Sequence, residues 1–281
     1  MSEQVPPVIA ARALVRLQAQ REVVLADVRW ALDGSEGEDT YLRGHLPGAV
    51  YVDLGGVLSG PGEPTDGRHP LPSAEAFAAG LGALGIADDV LVVAYDQGGG
   101  ASAARLVWLL RVIGQPAALL DGGLAAWDGP LETGPVRRTP VTRRVVPWPV
   151  ERFADAVAVA RLAKDPASVV VDARAAARYR GEFEPVDPRP GHVPGAVNVP
   201  VGENLGDDGR LRGDEELRAR WEAAGVFDAD DVVAYCGSGV SATLDLLVLE
   251  RLGRPGRLYV GSWSGWAADP DRPAAMGDAP G

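Results

Sequence analysis

The chain carries one set of motifs twice, and that duplication limits what it can fold into more than any other feature. Gly44-His-Leu-Pro-Gly-Ala-Val50 returns as Gly191-His-Val-Pro-Gly-Ala-Val197 with six of seven positions identical. A β-branched run ending in Asp-x-Arg precedes each copy, Val23 to Arg29 and Val169 to Arg174. Val92-Val-Ala-Tyr95 after the first copy returns as Val232-Val-Ala-Tyr235 after the second, each followed by a glycine-rich turn and a Leu/Val-rich stretch. Each repeat must bury its own apolar residues, so the expectation is two domains of one fold. With 281 residues there is room for two of ordinary size. Their expected bounds are 1–135 and 150–281, with 136–149 as linker inside the proline-rich stretch from Gly129 to Pro149.

Within each copy, short apolar runs of strand length alternate with helical patterns of ten or more residues. This alternation predicts α/β domains, each a parallel sheet flanked by helices. In the second copy, Val232 to Tyr235 reads as a buried strand; Leu244, Leu247, Val248 and Leu252 share one helical face, and Gly253 stops the helix. Cys236-Gly-Ser-Gly-Val-Ser241 lies between them, at the carboxyl end of a parallel strand, where open α/β sheets bind ligands.

Charge and residue counts remove whole classes of function. A formal net charge of −12 disfavours phosphate backbones and anionic lipid, so neither nucleic-acid nor membrane binding is expected. One cysteine cannot form an intrachain disulfide, and with three histidines it cannot build a zinc ribbon or finger. Lys164 is the only lysine, so Schiff-base chemistry would rest on it alone. The stretch from Met1 to Gln20 has no continuous apolar core of a leader peptide, and no run is long enough to span a bilayer. A protein of the reducing cytoplasm is expected, where a lone thiol stays available.

The loop after the strand is where chemistry is expected. Gly237 and Gly239 let the backbone curl so that N–H groups converge, and the next helix points its amino end at the same place. Both effects favour a thiolate at Cys236. Phosphate-ester cleavage by such a loop needs an arginine six positions beyond the cysteine, and Ala242 stands there. A Cys–His protease pair is weak, because no histidine follows Cys236. Sulfur transfer needs only the thiolate and a cradle of N–H groups.

These motifs resemble the tandem-domain rhodanese-like sulfurtransferases over nearly the whole chain, including the closing Tyr259-Val-Gly-Ser-Trp263 block. The resemblance implies a nucleophilic Cys236 that carries sulfur as a persulfide, without cofactor or metal. It also implies a silent first copy, in which Asp96 stands at the place of the cysteine, and a cleft between the copies to which the first contributes His69. The neutral Gly237 and Ser238 look like the 3-mercaptopyruvate version of the loop. Thiosulfate-preferring relatives carry basic residues there, so thiosulfate is the alternative donor. A non-catalytic binding module is the alternative of another class.

By the same resemblance, Arg178 and Arg189 are the donor-binding guanidiniums, although Arg189 stands two residues further along than the pattern implies. Gly237, Gly239, Val240 and Ser241 form the cradle around the donor sulfur. Ser238 either relays a proton or caps the turn, and His69 faces it. The position two beyond Asp53, acidic in the resembling proteins, is Gly55. The acid of a full Asp–His–Ser relay is therefore unassigned, with Asp53 and Asp66 the nearby carboxylates. His45, His192 and the pairs Asp27–Arg29 and Asp172–Arg174 occur in both copies, which points to structural roles. Trp263 and Trp266 either wall the cleft or pack in the core. Near them, Val260 and Gly265 stand where acidic residues are common in the resembling proteins. The expected partners are a small-molecule sulfur donor and a thiol, cyanide or thioredoxin-like acceptor.

Overall fold

Residues 5–281 are described by a computed structural model of the chain. They form two compact units. The first takes in the chain up to Gly60, then Leu71–Pro149 and Asp207–Leu211; the second holds Pro61–Pro70, Val150–Gly206 and Arg212–Gly281. The short segment 61–70 thus lies within the first repeat in sequence but belongs to the second unit.

In the first unit the elements follow as β1 (Val8–Ile9), α1 (Ala11–Gln20), β2 (Val23–Asp27), α2 (Glu38–Arg43), β3 (Val50–Tyr51), α3 (Ala74–Ala83), β4 (Leu91–Tyr95), α4 (Ala101–Val112) and β5 (Ala117–Leu120). The expectation of a missing leader peptide concerned residues that now fall largely in β1 and α1, and its first four lie outside the described residues. The second unit repeats the series as β6 (Phe153–Ala154), α5 (Ala156–Leu162), β7 (Ser168–Asp172), α6 (Ala176–Tyr179), β8 (Val197–Asn198), α7 (Asp214–Ala223), β9 (Asp231–Tyr235), α8 (Ala242–Arg251), β10 (Arg257–Tyr259) and α9 (Ser262–Ala268). Strand order is β1-β5-β4-β2-β3 in one sheet and β6-β10-β9-β7-β8 in the other, and every pairing is parallel. The predicted fold class is the observed one. No helix among the described residues is long and apolar enough to cross a membrane.

The central strands explain the apolar runs. All five residues of β4, and four of the five in β9, are buried, because helices cover both faces of a parallel sheet. Helix α8 is buried from Ala242 through Leu249, which is why its sequence is apolar nearly all round. Gly253, at φ 80°, ends it as the sequence predicted.

The repeated motifs hold the strand ends to the turns. Asp27 faces Tyr95 in register, and Asp172 faces Tyr235. Arg29 grips Asp27 at 2.8 Å and the Gly44 carbonyl at 2.7 Å; Arg174 grips Asp172 and the Gly191 carbonyl, each at 2.6 Å. The phenolic oxygens of Tyr95 and Tyr235 accept from the N–H groups of Leu46 and Val193. His45 stacks on Tyr41 and His192 on Tyr179, with both imidazoles fully buried. The structural roles expected of these residues are therefore the ones they have.

The loop after β4 shows what a glycine-rich strand-to-helix turn does with an anion. The Asp96 carboxylate accepts from four backbone N–H groups, those of Gly98 and Gly100 at 3.0 Å, Ser102 at 3.1 Å and Ala103 at 3.3 Å. It fills the cradle and caps α4 in one stroke. Burial pushes its pKa up to about 6, against the downward pull of those N–H bonds. A carboxylate whose pKa is higher folded than unfolded favours the folded state while protonated, and that contribution is lost as pH rises through the interval. Between about pH 4 and 7 the unit should therefore lose up to about 3 kcal/mol from this group. Urea unfolding of the native chain and of Asp96→Asn at pH 4.5 and 7.5 measures it. The stability gap should move against the native chain at the higher pH, and a pH-independent gap would refute the assignment.

Candidate active site

The corresponding loop after β9 is built alike but carries Cys236 in place of the carboxylate. Cys236 is 2% exposed, at the end of a buried strand, and its position is fixed from α9. Its N–H donates to Ser262 Oγ at 3.2 Å, its carbonyl accepts from Trp263 N–H at 2.9 Å, and the Gly237 carbonyl accepts from Ser264 N–H at 2.9 Å. Ser262 sits at φ 52°, the one non-glycine residue with positive φ among the described residues. Its hydroxyl donates onward to the Tyr259 carbonyl at 2.9 Å, so the strained backbone is offset by a bridge between two strand ends.

Helix α8 has no side-chain cap. The N–H groups of Thr243 and Leu244 turn back to the carbonyls of Val240 and Ser241. Among the described residues no carbonyl or side chain accepts from the N–H groups of Gly237, Ser238, Val240 or Ser241. In the first copy a tethered carboxylate fills this kind of basket; here the donors stay open, an arrangement suited to an anion. Gly239, at φ 74°, supplies the left-handed turn that the curl requires.

Beside the loop lies the segment 61–70, a part of the same unit. It packs backbone to backbone on α9: a Cβ at Gly265 would come within 2.6 Å of the Thr65 carbonyl oxygen, and Arg68 N–H donates to Ser264 Oγ at 3.1 Å. Gly265 departs from the acidic residue common in the resembling proteins, and this close approach is the physical reason. The segment brings His69 to Ser238, with Nδ1 and Oγ 2.9 Å apart and both side chains buried. Two of the expected residues therefore meet. Asp66 caps its own turn by accepting from Glu63 N–H at 2.8 Å, and in the first unit Asp53 accepts from Gly56 N–H at the same distance.

The arginines are arranged differently from the expectation. Arg178 is at the loop, where a Cβ on Gly237 would lie 3.4 Å from its Nη1. Its Nη2 bonds Glu184 at 2.7 Å and Asp187 at 3.0 Å. Arg189 is committed elsewhere. Its guanidinium donates to the carbonyls of Trp266, Ala267, Asp269 and Arg272, clipping the segment after α9. With its N–H groups so occupied, Arg189 is corrected from donor contact to structural clip. Two residues before it, Asp187 faces the loop, and Arg68 is paired with that carboxylate. Sequence reading missed both, although Arg68 immediately precedes His69.

Electrostatics follow from burial. Asp187 is raised above the usual carboxylate range because burial outweighs the pull of Arg68 and Arg178. Glu184 is also penalised by burial. It nonetheless lies below its usual value, because Arg178 and the N–H groups of Asp187 and Val186 bond its charged form. Trp263 and Trp266 are fully buried; Arg174 lies over the first at 4.7 Å and Arg272 over the second at 4.9 Å. Both belong to the core.

Comparison with known proteins gives a consistent picture. The model of the Rhodanese-like domain family matches residues 10–129 and 155–269. A putative thiosulfate sulfurtransferase of Mycobacterium tuberculosis, SseB, is 41% identical over 278 residues, covering 97% of each chain. A probable 3-mercaptopyruvate sulfurtransferase of Pseudomonas aeruginosa is 42% identical over 279 residues, covering 96% of this chain and 98% of its own. Among solved structures, the 3-mercaptopyruvate sulfurtransferase SseA of Escherichia coli superposes with a TM-score of 0.78 at 34% identity, over 92% of this chain and 99% of its own.

Proposed function

Because the chain belongs to the rhodanese-like family and is a sulfurtransferase, we propose that it takes sulfane sulfur from 3-mercaptopyruvate and passes it, through a persulfide on Cys236, to a thiol, cyanide or thioredoxin-like acceptor. The observation that carries this reading is the cysteine at an open ring of N–H donors, with a Ser238–His69 pair and a guanidinium alongside.

The chemistry balances with these groups alone. The Cys236 thiolate attacks the donor sulfur; the sulfur–carbon bond breaks, and its electron pair leaves on carbon as the enolate of pyruvate. With Nδ1 protonated, His69 donates to Ser238 Oγ and leaves the Ser238 O–H directed at the enolate. The enolate takes that proton to become pyruvate, Ser238 takes the His69 Nδ1 proton, and the S–H of the new persulfide returns one proton to the pair as it ionises. The outer sulfur of the persulfide, once ionised, is received by the N–H groups of Gly237, Ser238, Val240 and Ser241. A second thiolate then attacks that outer sulfur, the S–S bond breaks, and Cys236 leaves as thiolate again. An unpaired thiol doing this work belongs in the reducing cytoplasm.

Thiosulfate is the second reading, favoured by the name of the Mycobacterium tuberculosis relative and by guanidinium charge beside the loop. Comparing kcat/KM for the two donors decides, and a preference for thiosulfate would overturn the first. Intact-mass measurement after donor addition tests the common step: a gain of about 32 Da, one sulfur atom, is expected in the native chain and not in Cys236→Ser. No gain with either donor would leave a binding module.

A further inference from the structure

Asp245 is a fully buried carboxyl that the sulfur chemistry does not use. It lies in the first turn of α8, nine positions beyond Cys236, on the helix whose amino end closes the cysteine loop. Its Oδ1 accepts from Asn204 Nδ2 at 2.6 Å, and Asn204, on the 3₁₀ turn Val201–Asn204 after β8, is itself fully buried. Two acceptors are then left over: among the described residues no donor reaches Asp245 Oδ2 or Asn204 Oδ1. The charged groups around the pair are engaged elsewhere. Arg220 on α7 bonds Glu203 and the Pro200 carbonyl, and Asp172 at the end of β7 is held by Arg174. Burial pushes the Asp245 carboxyl well above the usual carboxylate range, and Asp172 pushes the same way, against the Asn204 bond and the charge of Arg220. The first copy carries the opposite sign at the same count. Nine positions beyond Asp96 stands Arg105, also fully buried, which donates through Nε and Nη2 to the Leu58 carbonyl after β3, each at 3.1 Å. There a cation lies behind a cradle that holds a carboxylate. An ionised Asp245 behind Cys236 would instead set two buried anions at one helix end.

We infer that Asp245 is a positioning residue of the cysteine loop and works as a neutral carboxylic acid: a proton on Oδ2 completes a reciprocal pair of hydrogen bonds with Asn204. The inference rests on the sulfur-transfer reading and adds a residue that acts through α8 on the nucleophile. A protonated carboxyl donates from one oxygen and accepts at the other, and a primary amide does the same, so one proton gives both leftover acceptors a partner. The pair ties the first turn of α8 to the Val201–Asn204 turn. Because it carries no charge, the positive end of the helix dipole is left to the Cys236 thiolate.

The test pairs Asp245→Asn, whose amide donates and accepts as the protonated acid does, with Asp245→Leu, which does neither. The infrared spectrum of the native chain minus that of Asp245→Asn, at neutral pH, should show the carbonyl stretch of a protonated carboxylic acid. A carboxylate stretch in its place would overturn the inference. Iodoacetamide reacts with the thiolate of the sole cysteine, so its rate against pH reports how Cys236 ionises. That profile should overlay in Asp245→Asn and the native chain, since no charge is lost. A shift toward lower pH by about one unit would mean that a negative charge had been removed, and the inference would fall. With 3-mercaptopyruvate, Asp245→Leu should lower kcat/KM about tenfold and Asp245→Asn about threefold at most. Equal losses in the two would show that the paired bonds position nothing. Should the leucine variant not fold, Asn204→Ala breaks the same pair from the other side and takes its place. If the native chain forms no persulfide with any donor, the sulfur-transfer reading fails, while the infrared band and the alkylation profile still judge Asp245.

Discussion

Cys236→Ser is expected to abolish sulfur transfer, lowering kcat/KM by at least about 10³-fold with every donor, while the chain stays folded. The sulfur must be held covalently between the two half-reactions, and a serine oxygen neither ionises near neutral pH nor carries a sulfane sulfur. Rescue by a neighbouring thiol cannot occur, because Cys236 is the only cysteine in the chain. The substitution itself is mild. The bonds that position residue 236 run through its backbone, to Ser262 Oγ and from Trp263 N–H, and they remain. Steady-state assays with both donors, alongside a thermal melt, check both halves of the prediction. Residual turnover above the 10³-fold limit in a folded variant would mean that the sulfur travels by a route without this thiol.

Arg174→Met is expected to cost about 3–5 kcal/mol, a large share of what keeps an ordinary domain folded. Arg174 is buried and donates to both oxygens of Asp172, to the Gly191 carbonyl at 2.6 Å, and to Glu184 at 3.3 Å. Its pKa is raised: burial opposes the charge, but Asp172, Tyr235 and Glu184 together overcome that penalty. Removing the guanidinium leaves the Asp172 carboxylate, itself fully buried, with the N–H of residue 174 and the Tyr235 hydroxyl but no cation to balance its charge. Methionine fills the volume under Trp263 but restores none of the bonds. Urea unfolding at neutral pH measures the loss, and a cost below about 1 kcal/mol would show that the pair is not what joins β7 to the turn. Arg29 makes the matching bonds in the first unit, which places the same device at the same strand end twice.

How far the sequence could be read depended on whether a residue acts through its neighbours in the chain or through distant ones. The duplication, the central strands and the Cys236 loop are local patterns, and all three stand in the structure as read. His69 was placed through a short motif and meets Ser238 as expected. Arg189 was placed by counting along a loop with prolines at 188 and 190, and the count did not tell which residue turns toward the cysteine. Asp187 does, and its partner Arg68 comes from 119 positions earlier, a distance no local pattern bridges. Gly265 and Ser262 were equally opaque. The first is explained by a backbone contact with Thr65, the second by a positive φ that no residue-type preference for serine announces.

The Asp96 loop has a consequence for how the two copies divide their labour. A guest fastened to the chain itself never exchanges with the surroundings, so sulfate, phosphate or a stray donor finds that basket already taken. That cradle is thereby withdrawn from competition for small anions, and the proposed sulfur chemistry is left to the single cysteine of the chain.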